Sequence, residues 1–325
     1  MLMAGDTFDS EAPSLNDIRK TLEIMKDYAG IAWWVLPGNH DNLRADIIWD
    51  EFARAGLANV HVLARPEPVE MEDGVWLLPS PCLNRHPHED PTAWMDNCAA
   101  PDGEYRIGLA HGGVVDFGGS EDETGGVISP ERARDAGLDY LALGDWHGML
   151  KVNGRTFYSG TPEHDRFKHE GRGKLLVVTF PSPGALPDVE AVPVGTYDWR
   201  GEELEVSPSM DAVERLGNLL PGANKRHCLV RLKVSGRVHP DERVRLLQAI
   251  RDAGADFFHF EWDDGALATE YSPDDLDSIA SGGALRQAAR ELLDRAGDAS
   301  LAARDRDVAS AALNRLYGMV REMPE

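Results

Sequence analysis

Residues 31–41 read Ile-Ala-Trp-Trp-Val-Leu-Pro-Gly-Asn-His-Asp, so a short apolar run leads directly into three polar side chains. The run has the length and composition of a buried strand. In open α/β sheets, ligands bind just beyond the carboxyl ends of the strands. Asn39, His40 and Asp41 are therefore candidate site residues, although Gly38-Asn39 taken alone is also a common turn dipeptide.

Further short apolar runs along the chain end in the same way. The polar residues that follow them are Asp6, His111, Asp145 and His147. Carboxylate and amide oxygens together with imidazole nitrogen form the ligand mixture that suits Mn, Fe or Zn. Gly5-Asp6 taken alone could be a turn, and Asp145 could cap one. Together with residues 38–41, however, these residues make four sites in order, which predict a divalent metal site at strand ends.

Helix and strand signals alternate in the first part of the chain. Ser14 is an N-cap residue, and it opens a helix that ends near Gly30. A second helix is predicted over 46–55. Strands are predicted at 31–36, 59–63, 75–78, 107–110, 140–143, 157–158 and 174–180. This order predicts an α/β fold in which central β-sheets are flanked by helices.

A break in composition at Pro181–Pro187 and Pro193–Gly195 divides the chain. We expect a first domain over 1–198 and a small α+β domain over 199–325. The second domain is predicted to contain a helix at 210–220, a strand at 228–234, a helix at 240–253 and a strand at 256–262. From Asp274 onward two amphipathic helices are expected, which either pack on their own domain or dock a partner's coiled coil.

The charge balance bears on the partners of the protein. The 325 residues include 56 Asp and Glu against 33 Lys and Arg, a formal net charge of −23. A protein that holds DNA by itself normally carries a basic face, because phosphate neutralisation supplies most of the non-specific affinity. Either the acidity serves solubility, or a partner subunit supplies the basic surface.

Compartment signals are few. No apolar run approaches the roughly 18 residues of a membrane span, and the start of the chain lacks the pattern of a secretory signal. Cys82, Cys98 and Cys228 are widely spaced and fit no zinc or disulfide framework. We expect a cytoplasmic protein that does not associate with membranes.

The motifs together resemble the calcineurin-like metallophosphoesterases, and most closely the bacterial DNA repair exonucleases of the SbcD type. Residues 3–10 are similar to the family's second motif, and Tyr158-Ser159-Gly160-Thr161-Pro162-Glu163 is similar to the turn that closes its catalytic domain. The resemblance implies a layered metallophosphoesterase fold with a small cap domain. It also implies hydrolysis of phosphodiester bonds by a metal-activated water. The expected substrate is DNA or a small phosphodiester, and an ATPase partner subunit and a homodimer are possible partners.

The same resemblance implies two divalent metal ions, Mn²⁺ first, with Fe²⁺ or Zn²⁺ as alternatives. Asp6 would bridge the two ions. Asn39, His111 and Asp145 would complete one ion, and His147 would serve the other.

Two further residues would act on the substrate rather than on the metal. His40 would face the scissile phosphate and protonate the leaving oxygen. Asp41 would hold the other ring nitrogen of His40, as a carboxylate behind an imidazole does. Asp9 is expected to brace the loop.

The chain departs from the family pattern at two places. The first motif, D-x-H, should precede Asp6, and only five residues do so here. Asp145 stands where the family has the first His of G-H-x-H. We therefore expect either a start further upstream or a one-metal or inactive relative. The alternatives to a DNA exonuclease are a nucleotide or small-molecule phosphodiesterase and a non-catalytic scaffold.

Overall fold

The computed structural model describes residues 1–85, 89–98, 103–115, 127–272, 275, 279 and 283–322. The chain forms two compact units. The first comprises Met1–Asp165 and Arg172–Thr196, and the second comprises Arg166–Gly171 and Tyr197–Glu325. His86 and His88, which we expect at the surface because they stand in a Pro-rich stretch, lie outside the described residues.

The first unit contains a small parallel sheet with the order β1-β2-β3. Its strands are Leu2–Met3 (β1), Trp33–Val35 (β2) and Val60–Val62 (β3), and the helices between them are Leu15–Asp27 (α1) and Asp46–Ala55 (α2). Ser14 caps α1 by accepting a hydrogen bond from the Asp17 N–H. Both helices therefore lie where the sequence predicts them.

A larger sheet of six strands has the order β4-β5-β6-β7-β9-β8. Its strands are Val69–Glu72 (β4), Val75–Ser80 (β5), Tyr105–His111 (β6), Tyr140–Gly144 (β7), Leu150–Lys151 (β8) and Thr156–Tyr158 (β9). The four inner strands are parallel, and the two outer strands are antiparallel to their neighbours. The first unit is completed by η1 (Ala93–Asn97), α3 (Arg132–Asp135) and the hairpin of β10 (Lys174–Thr179) with β11 (Asp188–Pro193).

Side-chain alternation along the strands produces a layered arrangement. In β2, Val35 packs against α1 and α2, whereas its neighbour Trp34 points the other way, into a core shared with β5, β6 and β7. On the far face of the larger sheet, Leu141 and Leu143 of β7 pack with Ala133 of α3. The first unit is thus a mixed α/β structure whose two sheets lie between outer helices.

The second unit has a three-stranded parallel sheet of β12 (Asp198–Val206), β13 (Cys228–Val238) and β14 (His259–Thr269). Its helices are α4 (Ala212–Leu219), η2 (Lys225–His227), α5 (Pro240–Gly254), α6 (Gly283–Gly297) and α7 (Ala303–Glu322). Leu204, Leu232 and Leu246 belong to the buried core of the sheet with α4 and α5. The Tyr317 hydroxyl of α7 donates to Asp241 of α5 at 2.8 Å, so the C-terminal helices pack on their own unit.

Across the described ranges, no helix combines the length and apolarity that crossing a membrane would need.

Candidate metal and catalytic site

The candidate residues follow the carboxyl ends of four strands. Asp6 follows β1, Asn39 follows β2, His111 is the last residue of β6 and Asp145 directly follows β7. Within each sheet these strands run parallel, β1 beside β2 and β6 beside β7, so their carboxyl ends share an edge. The backbone thereby brings together four residues that are far apart in the sequence.

His111 is the centre of this arrangement, and it is almost fully buried. Its Nδ1 lies 2.7 Å from the carbonyl oxygen of Ala4. A carbonyl can only accept, so Nδ1 carries the proton and donates it to this bond. Nε2 is therefore the ring nitrogen that could ligate a metal ion. A metal-ligating histidine usually donates its other ring N–H to a carbonyl or a carboxylate, as Nδ1 does here.

Three oxygen atoms surround His111 Nε2. The side-chain oxygen of Asn39 lies 3.2 Å away, Asp6 Oδ2 lies 3.3 Å away and Asp145 Oδ1 lies 3.8 Å away. Donor atoms that share one ion at about 2.0–2.2 Å are separated from each other by roughly 3–4 Å. The spacing and the mixture of oxygen with nitrogen fit a divalent cation of the Mn, Fe or Zn kind.

The amide of Asn39 supplies one of the three oxygens around His111 Nε2. Among the residues that the structure describes, no group of three or more His, Cys, Asp or Glu side chains is spaced to hold a metal ion. With Asn39 the set offers donors for one ion.

Glycines allow the loops to close around His111. A methyl group on Gly5 would overlap the His111 ring, and one on Gly38 would overlap the Asp6 carboxylate. A methyl group on Gly144 would overlap the Ala4 carbonyl and lie 2.8 Å from His111 Nδ1. Gly5 also has a φ of 86°, which favours glycine. These positions need glycine because the site is assembled from closely approaching backbones.

Asp6 and His111 shift each other's protonation. Burial tends to raise the pKa of Asp6, but the hydrogen bond and positive charge of His111 outweigh it and lower the pKa. Asp6 Oδ1 also accepts the His40 N–H at 2.9 Å. Burial opposes protonation of His111, yet its contact with Asp6 leaves the pKa of the imidazole raised. Each group therefore favours the charged form of the other, as in an ion pair.

Asp41 has a different role from the one that the sequence predicts. It is fully buried, and it accepts hydrogen bonds from backbone N–H groups of Gly38 at 2.6 Å, Asp6 at 3.2 Å and Phe8 at 3.3 Å. The expected contact with the ring of His40 is wrong, because both carboxylate oxygens are used in fastening the loop after β1 to the turn after β2. Burial and the nearby charge of Asp6 raise the pKa of Asp41.

His40 is oriented by a backbone carbonyl instead. Its Nδ1 lies 3.0 Å from the Asp9 carbonyl oxygen, so Nδ1 is the donor. Asp9 therefore contributes its main chain, while its side chain is exposed. The Nε2 atom of His40 remains as the nitrogen that can carry a transferable proton.

His147 is the predicted ligand that the structure places with another partner. Its Nδ1 lies 3.4 Å from Asp165 Oδ1, in the loop that follows β9. The structure therefore brings together Asp6, Asn39, His111 and Asp145 around one position, while the ring of His147 contacts Asp165.

Asn42 and Cys82 are site neighbours that the sequence reading missed. The amide of the buried Asn42 donates to Glu11 at 2.7 Å and to the Asn39 carbonyl at 3.2 Å, so it ties the same two loops as Asp41. The buried Cys82 thiol lies 3.7 Å from the His111 carbonyl oxygen. Burial and the surrounding carboxylates raise the pKa of Cys82 to about 12, so it stays a neutral thiol. The sequence indication of Asn42 is the run Asn39-His40-Asp41-Asn42, in which all four side chains are polar.

Comparison with known proteins adds little to this geometry. No family model matches the sequence, and no curated protein matches it. Among solved structures 23 chains match, and one of them, a crystal structure, is 15% identical over 57% of this chain and 78% of its own, with a TM-score of 0.34. A similarity at that level supports no argument about fold or function.

Proposed function

We propose that this chain is a divalent-metal-dependent phosphoesterase of the calcineurin-like kind, which hydrolyses phosphodiester bonds as the SbcD-type DNA repair exonucleases do. The observation that carries the proposal is the convergence of three oxygens on His111 Nε2, while His111 Nδ1 is fixed to Ala4. A histidine that only braced a turn would not need a carboxylate, an amide and a second carboxylate around its Nε2. The layered sheets and the motif order agree with the proposal.

The residues that would hold the ion are Asp6, Asn39, His111 and Asp145. A divalent ion bound there would polarise a phosphate oxygen and lower the pKa of a bound water. The family resemblance implies a second ion near His147. We propose Mn²⁺ first, because hard oxygen donors predominate over the single imidazole nitrogen.

His40 is proposed as the general acid. With Nδ1 donating to Asp9, its Nε2 can deliver a proton to the leaving oxygen of the ester when the ring is protonated. Asp41 and Asn42 would act only by keeping the loop of Asp6 and the turn of His40 in contact, Asp41 through the Asp6 N–H and Asn42 through the Glu11 carboxylate.

The substrate is proposed to be DNA, with a small phosphodiester or a nucleotide as the second candidate. The net charge of −23 favours the second candidate for the isolated chain, because DNA affinity depends on phosphate neutralisation. A DNA substrate would call for a basic partner, such as the ATPase subunit that the family resemblance implies. A homodimer and a cytoplasmic location belong to the same proposal.

The decisive experiment is hydrolysis of bis-p-nitrophenyl phosphate by the purified chain with and without Mn²⁺, with metal content measured in parallel. Asp6→Asn should lose both metal and turnover. His40→Ala should keep metal and lose turnover by about 10²–10⁴-fold. Asp73→Asn and His239→Ala change exposed residues outside the site and serve as matched controls.

Retained turnover in Asp6→Asn or His40→Ala would refute the assignment. An active parent chain is then offered single-stranded DNA, double-stranded DNA and a dinucleotide. Cleavage of the dinucleotide alone would support the small-substrate candidate. A parent chain without Mn²⁺-stimulated turnover would support the scaffold.

A further inference from the structure

Tyr158 is the last residue of β9 and the first residue of the turn 158–163. Its side chain is buried, with only 2% of the residue exposed. Its backbone is paired on both sides, with Leu143 of β7 and with Leu150 of β8. Because the backbone is paired and the ring lies in a close-packed core, Tyr158 is a rigid support for whatever its hydroxyl contacts.

The Tyr158 hydroxyl reaches past β7 to the loop that follows β6. In the larger sheet β7 lies between β6 and β9, and the hydroxyl donates to the Gly112 carbonyl at 2.8 Å. Burial and the charge of Asp145 raise the pKa of Tyr158, so the hydroxyl stays protonated and remains a donor. This hydrogen bond therefore joins two segments whose strands are not neighbours in the sheet.

Gly112 connects the two candidate ligands that come from the larger sheet. It directly follows His111, and its N–H donates at 3.2 Å to the carbonyl of Gly144, the residue directly before Asp145. Its φ of 148° favours glycine. Both backbone polar groups of Gly112 are thus bonded, the N–H to β7 and the carbonyl to Tyr158.

The backbone at Asp145 needs such support. Its φ of 100° costs a residue other than glycine about 1–3 kcal/mol, and a strained conformation persists only where surrounding contacts hold it. The Asp145 side chain is 41% exposed, and the 3.8 Å from its Oδ1 to His111 Nε2 is the longest of the three oxygen distances there. The bond from Gly112 to Gly144 therefore supports the position of Asp145.

The turn that begins at Tyr158 also contacts the loop after β7. The Thr161 N–H donates to the His147 carbonyl at 2.8 Å. Gly160 has a φ of 76°, and a methyl group there would lie 2.6 Å from the same oxygen. The turn therefore fits closely against the loop that carries Asp145 and His147, and this contact helps to keep Tyr158 in place.

We propose that Tyr158 is a positioning residue that keeps Asp145 within reach of the ion at His111, because it holds Gly112 and, through it, Gly144. The part that concerns the ion rests on the proposed function, whereas the support of Gly112 does not. Tyr158 would contact neither the ion nor the substrate.

The kinetic test uses the full chain with bis-p-nitrophenyl phosphate at increasing Mn²⁺ concentration. Tyr158→Phe removes one oxygen atom and keeps the ring in the core. It should raise the Mn²⁺ concentration for half-maximal turnover about tenfold, since residues that orient metal ligands typically contribute about 10–100-fold. The kcat at saturating Mn²⁺ should stay close to that of the parent chain. A variant with the Mn²⁺ dependence of the parent, or one that loses kcat at saturating Mn²⁺, would overturn the proposal.

A double variant tests whether the effect passes through Asp145. Asp145→Asn should by itself raise the Mn²⁺ concentration for half-maximal turnover, and the addition of Tyr158→Phe should raise it no further. Two factors that multiply in the double variant would mean that Tyr158 acts independently of Asp145, which contradicts the proposal.

Tyr140 provides the matched control. It is a second buried tyrosine of the same sheet, 4% exposed, at the end of β7 away from Asp145. Its ring packs with Phe157 and Phe180 rather than with the loop after β6. Tyr140→Phe also removes one oxygen atom from a buried ring, and it should leave the Mn²⁺ dependence unchanged.

A second readout needs neither metal nor turnover. In the metal-free chain, hydrogen exchange of the Gly112 amide, followed by NMR, reports how firmly the loop after β6 is held. The loss of one hydrogen bond in Tyr158→Phe should speed this exchange about tenfold, and Tyr140→Phe should not change it. If the parent chain has no Mn²⁺-dependent turnover, the proposed function fails, and the exchange rate still decides: faster exchange in Tyr158→Phe supports the positioning of Gly112, and an unchanged rate refutes it.

Discussion

The Asp41 carboxylate joins two loops instead of making the expected contact with the His40 ring. Replacing Asp41 with Asn tests this structural role. Asp41 Oδ1 accepts two backbone N–H groups, those of Gly38 and Asp6, and Oδ2 accepts the third, that of Phe8. Asn has the same shape, but one of its two terminal atoms is a donor. The better orientation keeps its oxygen at the Oδ1 position and turns its NH₂ toward the Phe8 N–H.

The expected loss of stability follows from these bonds. One buried N–H left without an acceptor costs about 1–3 kcal/mol, and the two remaining bonds each lose roughly 1 kcal/mol of charge assistance. Burial raises the pKa of Asp41, so the folded protein disfavours its negative charge. Asn carries no charge, and this recovers part of the lost free energy of unfolding. We expect Asp41→Asn to lower the free energy of unfolding by about 2–4 kcal/mol, a large share of the 5–15 kcal/mol typical of a domain.

Urea unfolding followed by tryptophan fluorescence measures this change, because six of the eight tryptophans lie in the first unit. With a slope of about 2 kcal/mol per molar urea, the midpoint should fall by about 1–2 M. Asp73→Asn, an exposed turn residue, is the control. Two results together would refute this reasoning: Asp41→Asn unfolds at the midpoint of the control, and it lowers turnover in the parent chain but not in a His40→Ala background. They would support the contact of Asp41 with His40 instead.

Three more variants test other parts of the first and second units. Gly144→Ala should lower Mn²⁺-dependent turnover by about 10–100-fold. Its methyl group would push the Ala4 carbonyl away and leave the His111 imidazole without the acceptor of its Nδ1–H. Gly217→Ala, in α4 with open space around it, should instead stabilise the protein by about 0.4–1 kcal/mol in urea unfolding. Burial tends to raise the pKa of Asp90, but hydrogen bonds from Thr92 and Arg132 lower it below the ordinary value. The contribution of Asp90 to the free energy of unfolding is therefore present above about pH 4 and is lost as the pH falls through the lowered pKa. Asp90→Asn should therefore be less stable than the parent by about 1–2 kcal/mol at pH 7, and unfolding curves at decreasing pH should show the difference shrink below about pH 4.

Helices and inner strands could be predicted from the sequence because their signals are local. The cap at Ser14 and the apolar spacing after it are enough to predict α1, and residues 46–55 form α2 with the predicted bounds. The strand β12 was missed because Arg200-Gly201-Glu202-Glu203 contains no apolar residue. That stretch becomes a strand because it pairs along its whole length with β13, a partner that local sequence does not reveal.

The candidate site was likewise predictable where the signals are local and not where distant residues meet. The positions of Asp6, Asn39, His111 and Asp145 could be predicted because each lies at or just beyond the carboxyl end of a strand, and each of the two sheets brings its strand ends together. The partners of Asp41 could not, because two of its three donors are backbone groups of residues more than thirty positions earlier. The pairing of His147 with Asp165 likewise depends on where the loop after β9 returns.

Backbone conformation distinguishes the candidate site from an ordinary turn at these strand ends. Among the described residues, three that are not glycine have a positive φ, and two of them are Asp6 at 53° and Asp145 at 100°. Asn224, the third, sits beside η2 in an ordinary left-handed turn. A turn that only had to reverse the chain would be easier with glycine, since a φ near 100° costs a side chain about 1–3 kcal/mol. Asp6 and Asp145 both point a carboxylate oxygen at His111 Nε2, and a requirement for two oxygens at one point explains an aspartate at the strained position 145, where glycine would be less strained.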